Sequence, residues 1–421
     1  MNGSTYGLNP KMIIFLLFMG NFISGLDRFL INYGIVHISK DLQLNASSTG
    51  LILSIFFLGY AIMQLPGGWL ADRFGAKLVI FISIVGFSLF TGLTGLAWSL
   101  ASLIAIRFIF GLTEGSFFPA GAKLISSTIP QEQRSRAMSF YLSALTVAGV
   151  AAPLLATTML LQIGWRMMFV VIGICGSLIG LLYWFYLKPK RERQHQENSA
   201  SMAGQAAPPV KGVFKALAKK PIVWSLMVAS FAYGFISWGT ASWVPTYLVN
   251  ERGLDLRALG ILQMIPAVTG FVFFLLAGYV LDRVKAGNEK WFGAVAGIGI
   301  AVMVYLMFNA QTITGIVIYQ SILPMFAGVL SVVIFSLPIK RLPEAVGGSA
   351  VGMINLGMQV AGFVAPLSIG FMIDLFDGSY NGVVWLLVAF GIVCCLAFLT
   401  LTSDKENVPE ENIEPSIPVS R

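Results

Sequence analysis

Arg107 and Glu114 stand seven residues apart in the stretch Arg107-Phe-Ile-Phe-Gly-Leu-Thr-Glu114-Gly115, inside an apolar run long enough to cross a membrane. Seven residues are close to two helical turns, so cation and carboxylate share one helix face, about 10 Å apart along the axis. A charge at the centre of a bilayer costs about 3 kcal/mol on insertion scales, so it persists only where a protein interior or a watery cavity offers it partners. The first apolar run carries a second such pair, Asp27-Arg28. Two cations and two acids in apolar spans suit an anion site coupled to protons. A guanidinium grips a carboxylate through two parallel hydrogen bonds. Burial and a neighbouring cation act on an acid in opposite senses, so its protonation can respond to conformation and to substrate. The competing reading is ion pairs that only glue helices together. Glu114 lies two turns from Arg107, which makes Asp27, on the facing first helix, the expected direct partner of Arg107. Glu114 is then expected among Gly111, Gly115 and apolar neighbours, as the acid that takes up the proton.

The elements that must position these four residues follow from composition. The chain is 57% hydrophobic and 11% charged, with a mean hydropathy of +0.80; a soluble domain carries nearer a quarter charged residues. Twelve apolar segments of the ~20 residues needed to span a bilayer can be counted. A polar stretch at 188–221 divides them six and six. The expected fold is all-α and integral to the membrane: twelve transmembrane helices in two pseudo-symmetric six-helix bundles, at 1–187 and 222–402. A cytoplasmic linker at 188–221 and a disordered tail at 403–421 complete the layout. The first segment, Met12 to Val36, is too long for the apolar part of a signal peptide and reads as a retained helix.

With a cytoplasmic N-terminus, 21 Lys and Arg fall on the inner side and four on the outer. That asymmetry places both ends inside. It also accounts for the net charge of +8, which would otherwise suggest nucleic acid; no such partner is expected. Cys175, Cys394 and Cys395 lie in apolar runs, and His37 and His195 have no neighbouring ligands. No metal, cofactor or nucleophile motif is recognisable, so the reading is not an enzyme.

Internal repeats support a two-fold layout. Gly68-Trp-Leu-Ala-Asp72-Arg73-Phe-Gly75-Ala-Lys77 is echoed 210 residues on by Gly278-Tyr-Val-Leu-Asp282-Arg283, and Ala152-Pro153 is echoed 213 residues on by Ala365-Pro366. Two matches at nearly one offset indicate halves descended from one unit, as in transporters whose site lies between the repeats.

The loop Gly68 to Lys77 resembles the signature of the major facilitator superfamily. Three further blocks resemble its anion:cation symporter branch, which includes sugar-acid carriers. They are Leu26-Asp27-Arg28, Arg107-x6-Glu114-Gly115 with Pro119, Pro130, Arg134 and Ala137, and Gly164-Trp-Arg166-Met-Met-Phe169. The resemblance implies a monomeric plasma-membrane symporter without cofactors, driven by a proton gradient and importing a small organic anion such as an aldonate, aldarate or hexuronate by alternating access. It implies Asp27 and Glu114 as proton-coupling acids, and Arg28, Arg107, Tyr60, Gln64 and Asn355 as substrate-binding residues. At the cytoplasmic end of the second span, Gly68, Asp72, Arg73, Gly75 and Lys77 read as a gate, with Asp72 latching near the positive N-terminus of the eleventh helix around Glu344 to Gly348; the competing reading is loop capping with positive-inside bias.

The chain departs from the branch in reading Phe29-Leu30-Ile31-Asn32 after Asp-Arg, in having no glutamine around Leu145 and Thr146, and in having no Lys or Arg in the seventh span. The last departure favours a substrate with one carboxylate. Trp238, Trp243 and Tyr247 in that span suit either a sugar bracket or interfacial anchoring. An exporter of drugs and a transporter-like sensor are the alternatives. Arg28 and Arg107 count against the first, and the lack of a recognisable signalling domain counts against the second.

Overall fold

A computed structural model describes residues 10–186, 216–281 and 288–401. It is built of helices: α1 (Pro10–Asp41), α2 (Ala46–Phe74), α3 (Ala76–Gly95), α4 (Leu100–Gly115), α5 (Phe117–Thr128), α6 (Gln131–Tyr186), α7 (Pro221–Asn250), α8 (Leu256–Leu281), α9 (Glu289–Asn309), α10 (Ile313–Arg341), α11 (Glu344–Leu375) and α12 (Asn381–Leu399). An all-helical answer is what the bilayer imposes, because every backbone N–H and C=O within hydrocarbon must be satisfied inside its own segment.

Two details convert these elements into crossings. α6 holds 56 residues, about 84 Å at 1.5 Å per residue, far longer than a hydrocarbon core of about 30 Å. It turns at Gly164, whose φ of +74° is a backbone state that costs glycine little and other residues much. α6 therefore crosses twice, on either side of that glycine. α4 and α5 meet at Ser116 and together form one stretch of 29 residues. Among the described residues twelve crossings result, as the apolar segments predict. The linker expected at 188–221 lies almost wholly outside the described residues, as do the tail and Asp282-Arg283 of the second repeat.

The chain forms two compact units. The first combines residues 1–190 with 238–271 and 362–383. In it α2 and α4 approach backbone to backbone: a Cβ on Gly115 would stand 2.6 Å from the Tyr60 carbonyl oxygen. This contact sets Tyr60 beside the acid-bearing end of α4. α1 lies along α6, where Asn21 Nδ2 donates to the Tyr141 carbonyl at 2.9 Å and a Cβ on Gly25 would meet that of Ala148 at 2.9 Å. The GWR block has a structural explanation. Trp165 Nε1 donates to Asp41 Oδ2 at 2.7 Å and Arg166 Nη1 to the Ala97 carbonyl at 2.7 Å, so the residues after the Gly164 turn tie down the ends of α1 and α3.

The second unit comprises 191–237, 272–361 and 384–421. Its described part packs Phe235 on Phe390, with ring centroids 3.9 Å apart. It also pairs Arg341 with the buried Glu289 at 3.5 Å. Cys394 is buried there, with its Sγ facing the Ala229 carbonyl at 3.8 Å; Cys395 is half-buried and Cys175, in the first unit, is exposed.

Candidate functional site

The face that α4 buries is Leu103, Arg107, Phe110, Gly111, Glu114 and Gly115, a helical repeat of three to four residues. Against it α1 sets Ser24, Asp27 and Arg28. Asp27 is 0% exposed, Arg107 2% and Glu114 3%. The four charges cross-pair: Arg107 Nη1 donates to Asp27 Oδ2 at 2.5 Å, and Arg28 Nη2 donates to Glu114 Oε1. Asp27 is thus the partner of Arg107 that the face argument expects. The expectation for Glu114 needs correcting, because it does not sit among apolar neighbours alone. Besides Arg28, it accepts from the Ser24 hydroxyl at 2.6 Å. Ser24 lies one helical turn before Arg28, so the i, i+4 spacing on α1 was the signal that could have found it.

Aromatic rings line both cations. Arg28 lies 4.9 Å from the Phe56 ring centroid and 5.1 Å from that of Tyr60. Arg107 lies 5.4 Å from Phe110 and 5.2 Å from Phe169. Such placement favours a desolvated guanidinium. The Tyr60 hydroxyl is within reach of Arg28 and of the Gln64 side chain, so Tyr60 and Gln64 do join the cluster at its edge.

A small pocket opens beside the tetrad, its walls including Arg28, Asn32, Phe56, Arg107, Trp238 and Ser242. Its cavity volume is about 20 Å³, enough for one water and not for a sugar acid. Several buried polar atoms have no hydrogen-bond partner among the described residues: Arg28 Nε, Arg107 Nε and Nη2 and Trp238 Nε1 on residues of the pocket wall, and Asp27 Oδ1 and Glu114 Oε2 in the tetrad behind it. A buried donor left unmade costs about 1–3 kcal/mol, so guanidinium N–H groups left over at a pocket wall are capacity for an acceptor from outside.

The three aromatic residues of α7 separate. Trp243 Nε1 donates to the Pro366 carbonyl at 3.0 Å. The Tyr247 hydroxyl accepts from Arg252 Nε at 2.8 Å. Both are tied into the protein, whereas Trp238 lines the pocket. In the sequence Asn32 marks only the departure after Asp-Arg, and Ser242 carries no signal. Asn355 is half-buried in α11, in the second unit, and is not among the pocket's lining residues.

The gate-motif residues lie apart from this cluster. Asp72 and Arg73 end α2, and Gly75 links it to α3 with φ +86°. Asp72 is exposed and pairs with Lys123 Nζ at 2.8 Å, while that ammonium also donates to the Ala71 carbonyl at 2.8 Å. Arg73 lies over the Trp69 ring at 5.1 Å and Lys77 over that of Trp184 at 4.5 Å. Gly68 lies within α2.

Comparison with known proteins adds the family. The family model described as Major Facilitator Superfamily matches residues 17–366. The chain belongs to that superfamily. It is 30% identical over 389 residues to a Cupriavidus necator protein named as a probable sulfoacetate transporter, covering 88% of each chain. It is 28% identical over 400 residues to a hexuronate transporter of Bacillus subtilis, covering 92% of this chain and 93% of that one. Its fold matches the crystal structure of a bacterial homologue of the lysosomal transporter Spinster with a TM-score of 0.75, at 18% identity and covering 93% and 94% of the two chains. This major facilitator chain is a multi-pass membrane transporter of small molecules, not an enzyme.

Proposed function

We propose that this transporter imports a small organic anion of the sugar-acid class across the plasma membrane in symport with protons, by alternating access, with both termini in the cytoplasm. The observation that carries the anion reading is the pair of buried guanidinium groups at one pocket wall, with N–H donors left over after their carboxylates are counted. Relatives named for a hexuronate and for sulfoacetate support the same chemical class. Of the two cations, Arg28 is the readier handle, being 12% exposed where Arg107 is 2%.

The test is uptake into proteoliposomes of a labelled sugar-acid panel, with and without an inward proton gradient, by wild type and Arg28→Lys. Lysine keeps the charge and loses the planar fork. Binding of the preferred acid is expected to weaken at least about tenfold, the loss of one charge-assisted hydrogen bond. Wild-type affinity in both Arg28→Lys and Arg28→Ala would place the anion elsewhere.

Alternating access also gives a role to Asp374 at the end of α11. Its carboxylate accepts from the Ala46 and Ser47 amides at 3.1 and 2.8 Å, capping the first turn of α2 beside the chain's own cap, Asn45. On the proposed orientation this is an outer latch, broken when the pocket opens outward. A capping side chain contributes about 0.5–2 kcal/mol, so Asp374→Ala should raise the outward-open population several-fold. A cysteine placed at Asn32 in a cysteine-free background should then react faster with an impermeant thiol reagent added outside; an unchanged rate would remove the latch. On the inner side, the stretch from Gly68 to Lys77 belongs to the same proposal as the opposing gate.

A further inference from the structure

We propose that Trp238 and Ser242 on α7, with Asn32 on α1, form a charge-free subsite that reads the hydroxyl groups of the substrate, so that the carrier selects hydroxylated acids with one negative charge over dianions of the same length. The inference rests on the anion reading given above and deepens it.

Three observations lead to it. First, the pocket wall has a polar ladder on each side. Asn32 follows Arg28 by four residues on α1 and Ser242 follows Trp238 by four on α7, so each pair shares one helix face and all four line the pocket. Second, the polar groups beyond the guanidiniums are neutral and sequestered. Asn32 is 5% exposed and Ser242 3%, and the Trp238 indole N–H is buried without a partner among the described residues. The Trp238 ring is held edge-on against Phe57 at 4.7 Å, which fixes where that N–H points. An indole N–H only donates, while a hydroxyl and a carboxamide both donate and accept. That set matches alcohols, which do both, and an aromatic face suits the C–H side of a polyol. Third, the charges leave no room for a second anion. Asp27 and Glu114 already pair with Arg107 and Arg28, and α7 has no Lys or Arg. Both guanidiniums lie on α1 and α4, so whatever protonation frees serves a carboxylate at that wall and not one at α7. A second carboxylate at the α7 end would be desolvated against neutral groups, which is strongly unfavourable.

The relatives differ on this point: a hexuronate carries one negative charge, and sulfoacetate carries two. The neutral subsite puts this chain with the former.

The experiment measures affinity of the full-length protein in liposomes for six-carbon probes of matched length. Gluconate, galactonate and glucuronate are hydroxylated monoanions; glucarate and galactarate are the dianions; hexanoate is a monoanion without hydroxyls. The best hydroxylated monoanion is expected to bind about tenfold or more tighter than either dianion and than hexanoate. Trp238→Phe keeps the ring against Phe57 and removes only the N–H, and Ser242→Ala removes one hydroxyl. Each should weaken the hydroxylated monoanion about tenfold, the loss expected for one buried hydrogen bond, and so bring its affinity close to that of hexanoate. Ser242→Arg should invert the preference toward dianions.

A dianion bound as tightly as the best monoanion by wild type would overturn the proposal. So would variants that weaken hydroxylated and plain acids by the same factor, since that is the mark of a structural role. If binding depends on Arg28 but the hydroxyl preference is untouched by both α7 variants, the subsite alone fails. If no acid binds and Arg28→Lys changes nothing, the anion reading fails with it.

Discussion

Glu114→Gln should abolish uphill uptake driven by a proton gradient while leaving substrate binding and counterflow exchange within a few-fold of wild type. The carboxylate of Glu114 holds Arg28 and accepts from Ser24 at 2.6 Å. Glutamine keeps an oxygen for both donors but carries no charge, and hydrogen bonds to a charged group are worth about 1.5–3 kcal/mol against about 1 for neutral ones. The variant therefore imitates the protonated acid, with Arg28 released toward the pocket at every pH. Binding then no longer trades a proton, and the gradient has nothing to act on. The sign in wild type follows: protonating Glu114 frees Arg28, so substrate affinity should rise as pH falls, and the variant's affinity should be flat over the same range. Parallel assays of counterflow and of pH-driven uptake decide it. Uphill uptake by Glu114→Gln at the wild-type rate would leave Glu114 as structural glue and Asp27 as the acid that carries the proton.

The crossings were legible because a bilayer permits so few solutions: about twenty apolar residues must be helical, and a charge within them must find a partner. Even the break in α6 could be placed, since Gly164 stands between two apolar runs that jointly exceed any single crossing. Periodicity also put Arg107 and Glu114 on one face and turned that face toward the helix bearing Asp27. It could not supply the register between α1 and α4. Asp27 and Arg28 are adjacent, and only the three-dimensional packing decides that they reach Arg107 and Glu114 respectively.

Neutral polar residues were harder to see. A serine or asparagine in an apolar span costs little and is common, so Ser24 and Ser242 carry no warning in the sequence, and Asn32 enters only as a departure from the branch pattern. Composition does not separate Trp238 from Trp243 and Tyr247; the hydrogen bonds of the latter two, to the Pro366 carbonyl and from Arg252, do.

Asp27 and Arg107 allow the hardest separation of function from glue. Both are buried, at 0% and 2% exposure, and Arg107 has the rings of Phe110 and Phe169 beside it. Removing one partner leaves the other charge uncompensated, at a cost of about 3–5 kcal/mol, whereas replacing both by neutral groups of similar shape is often tolerated. Asp27→Asn and Arg107→Gln should therefore each lower the melting temperature markedly, and the double variant should recover most of that loss. Transport should behave differently. If Arg107 helps to hold the anion once Asp27 lets go, the double variant is stable and still inactive, because a carboxamide cannot replace the guanidinium fork. Arg107→Lys with Asp27 intact should keep most of the stability, through the retained charge, but bind substrate at least about tenfold more weakly. Melting curves and uptake measured on the same preparations give the answer. A double variant that regains both stability and uptake would reduce this pair to a helix fastener and leave Arg28 with Glu114 as the working half of the site.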